Sequence, residues 1–309
     1  MVRATRGDPL REPVVLAVDL GGTRMRVALV GPDGAIVHRH EQPTPRGSPC
    51  PDALDELVGN VRGNGLPARA VVGVPGLVDY HRGRLEHAPN LPPGWAETIS
   101  ASHFGAILGL PVALANDADM AALGETWFGA GRGLRDVVYL TVSTGVGAGV
   151  VLGGKLVHGR RSAAEVGHTI LDLSARRDGR PATVEQLGSG TALARAAGDA
   201  GLPADGAAVV ESVRAGDALA TAVWEGVVAA VAATATNLAH LFAPEMIILG
   251  GGVGRTGDLL LGPVRAAVAE QGPVRSGHIP VVGADLGDDA GLVGAAAWPA
   301  TCAADRGTD

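Results

Sequence analysis

Two stretches of the chain, LAVDLGGTRMRVALVGPDGAIVH (residues 16–38) and YLTVSTGVGAGVVLGGKLVHG (residues 139–159), follow one pattern. Each starts with an apolar run, passes through a turn rich in glycine and threonine, and continues as two further strand-like runs. The later runs are separated by Pro32-Asp33-Gly34 in the first copy and by Gly153-Gly154 in the second. A meander of three strands that occurs twice predicts a duplicated fold.

The segments after each meander alternate between helical and strand patterns. In the first half we predict, in order, a helix around Leu54–Val61, a strand at 68–74, a helix at 96–109, a strand at 111–115 and a helix from Asp117 that ends at Gly129. In the second half, helices precede a strand at 245–250, another helix and a strand at 279–285. The sequence therefore predicts two βββαβαβα units, an α/β protein of two lobes with a ligand-binding cleft between them.

This duplication gives an expected domain organisation. Residues 1–13 contain no apolar core segment, so we expect a disordered leader and neither a signal peptide nor a membrane anchor. We place a small N-terminal lobe at 14–116 and a large C-terminal lobe at 117–288. The last helix, 289–300, is expected to return to the first lobe.

Composition and charge narrow the class of protein. The chain has 309 residues, of which 46% are hydrophobic and 18% are charged, which is typical of a globular protein. Its formal net charge of −7 gives no basic surface, so we expect neither a nucleic acid nor an anionic membrane as partner. Cys50 and Cys302 show no metal or disulfide spacing, which fits a reducing cytoplasm. The apolar stretch 223–243 contains Glu225, which favours a buried helix over a membrane span.

The pair Asn116-Asp117 lies between a strand pattern and a helix pattern. Either residue is an ordinary helix cap, because its side-chain oxygen can accept hydrogen bonds from the first backbone N–H groups of the helix. A reacting carboxylate is the other interpretation, and taken alone this segment favours the cap. The two roles are compatible, since a strand-to-helix junction holds a side chain rigidly.

The glycine-rich turns after the first strand of each meander suggest a phosphate site. They are Asp19–Thr23 and Ser143–Gly147. Glycine lets backbone N–H groups approach phosphate oxygens, hydroxyls add donors, and the Asp19 carboxylate could hold Mg²⁺ directly or through water. One such turn would favour a plain hairpin, whereas two at equivalent positions favour a bound nucleotide. The stretch 252–257, late in the chain, matches the G-x-G-x-x-G pattern of dinucleotide-binding folds. It does not indicate such a fold, because the strand order of a dinucleotide-binding fold contains no duplicated meander.

Seven ordered motifs resemble those of the ROK family (repressors, open reading frames, kinases), within the superfamily of hexokinases and actin-like ATPases. They are DLGGT (19–23), GVPGLVD (73–79), APNLPPGW (88–95), NDADMAALGE (116–125), STGVGAG (143–149), EVGH (165–168) and PEMIILGGGVG (244–254). The resemblance extends from about residue 14 to 300. It implies the two-lobed actin-like ATPase (ribonuclease H-like) fold.

The resemblance also implies a sugar kinase that transfers the ATP γ-phosphate to a hexose hydroxyl, usually the 6-hydroxyl of glucose or of a glucose-like or amino sugar. Asp117 would then be the general base. The implied sugar ligands are Asn90, Asn116, Glu165, His168 and Glu185. The implied nucleotide and Mg²⁺ contacts are Asp19, Gly21, Gly22, Thr23, Thr144 and Gly145, with Gly251 and Gly252 at the adenosine. A cytoplasmic homodimer is expected.

One departure from the family pattern concerns zinc. Many members follow the EVGH histidine with a C-x-C-G-x-x-G-C cluster that binds a structural zinc together with that histidine. Here the stretch 169–190 contains no cysteine, so three ligands are missing and we expect no structural zinc. The loop 172–184 would instead be held by ion pairs of Arg176, Arg177, Asp178 and Arg180, or stay mobile until sugar binds.

Three other functions compete with that of a kinase. The main alternative is a sugar-sensing, non-catalytic or regulatory ROK protein, which the Asn116-Asp117 pair disfavours. A DNA-binding repressor of the family would carry an N-terminal helix-turn-helix, and we expect none in the short segment before the first strand. An actin- or chaperone-like ATPase would leave EVGH and Glu185 unexplained.

Overall fold

The computed structural model describes residues 14–63, 67–163, 165–177, 179–273 and 278–302. The expected leader 1–13 and Asp178 of the expected ion pairs lie outside these residues.

The elements follow the predicted alternation. In chain order the strands are β1 (Val15–Leu20), β2 (Arg24–Val30), β3 (Ile36–Pro43), β4 (Arg69–Val74), β5 (Leu77–Asp79), β6 (Arg84–His87), β7 (Val112–Asn116), β8 (Val137–Val142), β9 (Val146–Leu152), β10 (Lys155–Leu156), β11 (Ile170–Arg177), β12 (Arg180–Thr183), β13 (Met246–Gly250) and β14 (Val281–Gly283). The helices are α1 (Cys50–Gly59), α2 (Trp95–Thr98), α3 (Ala101–Leu108), α4 (Asp117–Phe128), α5 (Val184–Gly188), α6 (Gly190–Asp199), α7 (Gly206–Arg214), α8 (Ala218–Phe242), α9 (Gly251–Gly254), α10 (Asp258–Gln271) and α11 (Ala290–Cys302).

The chain divides into two compact units. Of the described residues, the first unit contains 14–129, the segment Lys155–Ala163 and 289–302. The second contains Ala130–Gly154 and Ala164–Asp288. Each unit has its own sheet, and the two sheets are built alike.

The sheet of the first unit has the strand order β3-β2-β1-β4-β7. The meander β1-β2-β3 is antiparallel, and β4 and β7 continue it in parallel with β1. In the second unit the order is β9-β8-β13-β14, with β9 antiparallel to β8 and the two later strands parallel to it. The same strand plan in both units confirms the predicted duplication.

The central strands are buried on both faces, which explains their nearly continuous apolar sequences. On one face of the first sheet, α1 contributes Leu54 and Leu57 to a core that also contains Leu16 and Val72. On the same unit α11 packs against β1, β2 and β4. This rigid sheet fixes the end of β7, where α4 begins.

The first unit extends beyond the boundary expected at residue 116. Helix α4 belongs to it because α4 crosses α11 at backbone contact. A Cβ on Gly124 would lie 2.1 Å from the Ala290 carbonyl oxygen, and one on Gly294 would lie 1.9 Å from that of Met120. Only glycines allow two helices to approach so closely, and their spacing alone did not identify the partner helix.

Two local predictions need correction. The helix expected at 96–109 is two helices, α2 and α3, because Ser100 has extended backbone, forms a bridge with Arg84 and caps α3 by accepting from the His103 N–H. The loop expected at 172–184 contains a β-hairpin, β11–β12, in which Arg177 pairs with Arg180.

Helix α8 is long and apolar enough to cross a membrane by length and composition alone. Half of its most apolar window is buried in the second unit, and α8 packs against α5, α7 and α10. The buried Thr234 and Thr236 hydroxyls donate to carbonyls within the helix. These features agree with the predicted buried helix.

Candidate active site

Asp117 is the first residue of α4 and its side chain is exposed, while Asn116 before it and Ala118 after it are buried. Asn116 is the N-cap: its Oδ1 accepts from the N–H groups of Ala118 at 2.9 Å and Asp119 at 3.2 Å. Asp117 Oδ1 accepts from the Ala118 N–H at 2.8 Å. The capping role therefore belongs mainly to Asn116, and the neighbouring carboxylate is presented at the surface of the unit.

The segment after β4 fixes this helix start from the other side. The Asn116 amide donates from Nδ2 to the Gly76 carbonyl at 3.1 Å, and the Asn116 backbone N–H donates to the Tyr80 hydroxyl at 3.1 Å. Tyr80 in turn donates to Oδ2 of the fully buried Asp119 at 2.6 Å. Sequence reasoning missed Tyr80 and Asp119, because nothing in the sequence shows that residues 39 positions apart meet.

The first glycine turn meets the Asn90 segment. A Cβ on Gly22 would lie 2.0 Å from the Asn90 carbonyl oxygen, so only glycine fits there. The Gly21 carbonyl accepts from the Thr44 hydroxyl at 2.6 Å, and Thr23 is exposed at the turn. The structure thus brings together two of the predicted motifs, DLGGT and APNLPPGW, with the Asn90 side chain exposed beside the turn.

Asp19, at the end of β1, carries the carboxylate predicted to hold Mg²⁺. Its Oδ2 lies 2.8 Å from Nη2 of Arg26, and its side chain is mostly buried. Mg²⁺ commonly binds proteins through one or two carboxylates together with phosphate oxygens and water, so a single acid at this position suits it. The Arg26 guanidinium would share that carboxylate with the ion or with an ion-bound water.

In the second unit the structure brings Glu165, His168 and Glu185 together. His168 Nε2 lies 3.9 Å from Glu165 Oε2. Gly167 between them packs so closely that its Cβ would lie 3.5 Å from the Glu185 Cβ and 2.2 Å from the Val146 carbonyl oxygen. Glu185 Oε2 accepts from the Val146 N–H at 3.0 Å, which fixes that side chain over the second glycine turn. Three predicted sugar ligands therefore form one polar cluster.

Burial raises the pKa of the Glu165 carboxyl above its ordinary value. The neighbouring His168 acts in the opposite direction, and the negative charge of Glu185 raises the pKa further. The shift shows that the ionised Glu165 is poorly solvated and close to a second acid. A ligand hydroxyl that donates to Glu165 would supply the hydrogen bond that water supplies to an exposed carboxylate.

The second glycine turn meets the start of α6. The Thr144 carbonyl accepts from both the hydroxyl and the N–H of Thr191, at 2.7 and 3.3 Å. A Cβ on Gly145 would lie 2.4 Å from Glu185 Oε2, and one on Gly251 would lie 2.4 Å from the Val142 carbonyl oxygen. Gly252 has open space at its Cβ position. The turn, the cluster of acids and α9 thus meet at one edge of this unit, and Thr191 is a contact that sequence reasoning did not find.

A groove of about 870 Å³ lies in the first unit along β6 and the start of α3. Its lining includes Arg84, His87 and Ser100, and it reaches Pro89 next to Asn90. Asp117 is not among its lining residues. The carboxylate geometry, and not this groove, therefore identifies the candidate site.

Comparisons with known proteins identify the family of the chain. The model of the ROK family matches residues 15–301. Glucokinase from Thermotoga maritima is 34% identical over 304 residues, covering 91% of this chain and 96% of that protein. N-acetylmannosamine kinase from Yersinia pestis is 33% identical over 292 residues, covering 93% and 98%. The crystal structure of a ROK family glucokinase from Streptomyces griseus in complex with glucose and AMPPNP has 32% identity and a TM-score of 0.77, covering 92% of this chain and 98% of that one.

These matches span nearly the whole chain in sequence and in structure. The predicted α/β actin-like ATPase fold is confirmed. By sequence and by structure, the chain belongs to the ROK family.

Proposed function

We propose that the protein is a cytoplasmic sugar kinase that transfers the γ-phosphate of ATP to a hexose hydroxyl, with Asp117 as general base. The observation that carries the proposal is the exposed Asp117 carboxylate on a helix start that Asn116 and Tyr80 fix. Relatives named glucokinase and N-acetylmannosamine kinase support the reaction class. We propose the 6-hydroxyl of glucose, or of a glucose-like or amino sugar, as the acceptor.

Asp117 would accept the proton of the attacking hydroxyl. A sugar alcohol is a weak nucleophile, and a carboxylate within hydrogen-bond reach of its O–H makes attack on the phosphorus favourable. General-base assistance of this kind contributes about 10²–10⁴-fold to a rate. Asn116 would support the sugar through the N–H of its amide that does not donate to Gly76.

Glu165, His168 and Glu185 would bind other sugar hydroxyls, since each hydroxyl both donates and accepts. Glu185 uses Oε2 for the Val146 N–H, which leaves Oε1 to accept from a ligand. Asn90 would add a contact from the first unit. The exposed Thr23 and Thr144 and the glycines beside them would bind phosphates, while Gly252 leaves room for the adenosine.

Mg²⁺, held by Asp19 directly or through water, would neutralise charge on the phosphates of ATP. The chain's own residues would align the acceptor with the phosphorus and remove its proton. Alignment of this kind supplies much of the acceleration in phosphoryl transfer.

The test is a coupled assay of ADP release with Mg-ATP across glucose, mannose, fructose, allose, N-acetylmannosamine and amino-glucoses. We expect sugar-dependent ADP release from the wild type. Asp117→Asn should lower kcat by about 10²–10⁴-fold and leave sugar affinity largely intact, because the amide keeps the shape and loses the basic oxygen. Asp52→Asn is the matched control, since Asp52 is an exposed acid in the first turn of α1.

Sugar binding without turnover of any sugar would instead identify a non-catalytic sensor. Near wild-type kcat in Asp117→Asn would remove Asp117 from the mechanism. An equal loss of kcat in Asp52→Asn would show that removing any negative charge from this unit lowers kcat. The effect of Asp117→Asn would then not identify a general base.

A further inference from the structure

The start of α4 carries a hydrogen-bond relay that the proposed function does not use. Tyr80 follows β5. Its hydroxyl forms hydrogen bonds with one residue before Asp117 and with one residue after it. It accepts from the backbone N–H of Asn116, one residue before the base, at 3.1 Å. It donates to the carboxylate of Asp119, two residues after the base, at 2.6 Å.

The direction of each hydrogen bond in this relay is fixed. A phenol hydroxyl has one hydrogen to donate and lone pairs to accept. Because the Asn116 N–H can only donate, the hydroxyl must accept from it and direct its own hydrogen to Asp119. The distance of 2.6 Å between the Tyr80 and Asp119 oxygens is at the short end of the range for O–H···O hydrogen bonds. The hydroxyl therefore has one orientation and not several.

The Tyr80 ring is itself held in place by other parts of the first unit. It lies edge-on to the His158 ring, with centroids 5.1 Å apart, and against Trp298 of α11 at 5.8 Å. The Tyr80 N–H donates to the Arg160 carbonyl at 2.9 Å. Arg160 in turn pairs with the buried Asp79 carboxylate next to Tyr80, also at 2.9 Å. A ring held from several directions can transmit a fixed position to the groups that its hydroxyl contacts.

We infer that Tyr80 is a positioning residue for Asp117: its hydroxyl, bonded to Asn116 and Asp119, sets the orientation of the helix turn that carries the base. This inference rests on the proposed function and names a residue through which the base is aligned. Asn116 caps the N–H groups of Ala118 and Asp119, so a shift of Asn116 would also move the turn that presents the Asp117 carboxylate.

The first test is Tyr80→Phe, which keeps the ring and removes the hydroxyl. We expect kcat to fall on the order of 10- to 100-fold, because a misplacement of about 1 Å costs that much. The KM values for sugar and ATP should stay within about twofold, since no ligand contact is lost. Thr126→Val is the matched control: it removes another buried hydroxyl from α4, one that donates to the Ala122 carbonyl, and should leave kcat unchanged.

Loss of the hydroxyl also leaves a buried carboxylate without that donor, so Tyr80→Phe should be less stable. Two further variants separate stability from positioning. Asp119→Asn keeps an oxygen that accepts from Tyr80 and should retain most of kcat. Tyr80→Phe combined with Asp119→Leu replaces both partners by apolar groups, which should recover thermal stability while kcat stays low.

Hydrogen exchange of the unliganded protein tests the relay independently of catalysis. In Tyr80→Phe, the Ala118 and Asp119 amides should exchange faster than in the wild type, although neither donates to Tyr80. If the wild type phosphorylates no sugar, the proposed function fails, and the exchange rates still decide whether Tyr80 orders this turn. Unchanged exchange at both amides, unchanged kcat in Tyr80→Phe, or recovery of kcat together with stability in the double variant would overturn the inference.

Discussion

At the scale of one residue, the half-buried carboxyl of Glu165 lowers the stability of the folded protein at pH values above its pKa. Its pKa is raised chiefly by burial, and further by the charge of Glu185, so the folded protein binds a proton at this carboxyl more tightly than the unfolded chain does. Stability then falls as the pH rises from the pKa of the unfolded chain, about 4, towards the higher pKa of the folded state. The folded state carries this cost in full once the pH exceeds that higher pKa.

Glu165→Gln should therefore raise the melting temperature at neutral pH and leave it nearly unchanged at pH values below about 4, where both states are protonated. Differential scanning calorimetry across this pH range measures the effect. Glu211→Gln, at an exposed acid on α7 paired with Arg214, is the control and should show no gain at neutral pH. An equal rise in melting temperature at neutral pH and below pH 4 would mean that the ionisation of Glu165 is not responsible.

The residues of the candidate site were predictable where chemistry and motif agree, and not where packing decides. Asp117, Glu165, His168 and Glu185 were all predicted from the family resemblance, and the second unit places the last three in one cluster. The hydrogen bonds of the Tyr80 hydroxyl to Asn116 and Asp119, on either side of Asp117, were not predictable, because nothing in the sequence shows that these residues meet.

At the scale of elements, the crossing of α4 and α11 links the helix that begins at Asp117 to the C-terminal helix. The two helices touch through backbone at Gly124 and Gly294. A side chain at either position would push the helices apart, and α4 carries Asp117 at its first residue. The crossing is thus both a packing contact and a support for the site.

Gly294→Ala should destabilise the protein by about 1–3 kcal/mol, the usual cost of overpacking, and should also lower kcat. Gly291→Ala is the control: Gly291 lies in the same helix, and an added Cβ there would have no atom within 4 Å. It should be neutral or stabilise by up to about 1 kcal/mol, because alanine is the better helix former. Urea unfolding and the kinase assay on both variants check the prediction. A stable Gly294→Ala variant would show that the helices separate without cost.

Element types were predictable and several element ends were not. The apolar runs of β1, β4, β8 and β13 identify buried strands because both of their faces are covered. The break between α2 and α3 depends on Ser100 pairing with Arg84, a contact across the fold that a helical pattern at 96–109 does not contain. The hairpin β11–β12 likewise lies in the stretch 172–184, where we expected a loop.

At the scale of the molecule, the chain order and the spatial units do not coincide. The first unit is completed by Lys155–Ala163 and by residues 289–302. The sequence predicted the return of the last helix, whereas the short middle segment gave no signal of its own. The segment Lys155–Ala163 contacts the rest of the first unit through side chains: Arg160 pairs with Asp79, and His158 packs on Tyr80.

A chain that ends at Asp288 should therefore lose the first unit. It lacks α11, whose Leu292, Val293 and Trp298 are buried against that unit. Burial of each large side chain contributes about 1.5–3 kcal/mol, and a whole domain is stable by only about 5–15 kcal/mol.

Limited proteolysis with mass spectrometry tests this prediction. Cleavage should be rapid within 14–129 and slower within 165–273, because the truncated chain keeps every element of the second range. A chain that ends at Cys302 keeps α11 and should resist as the full chain does. Equal resistance of 14–129 in both truncated chains would show that the first unit folds without its C-terminal helix.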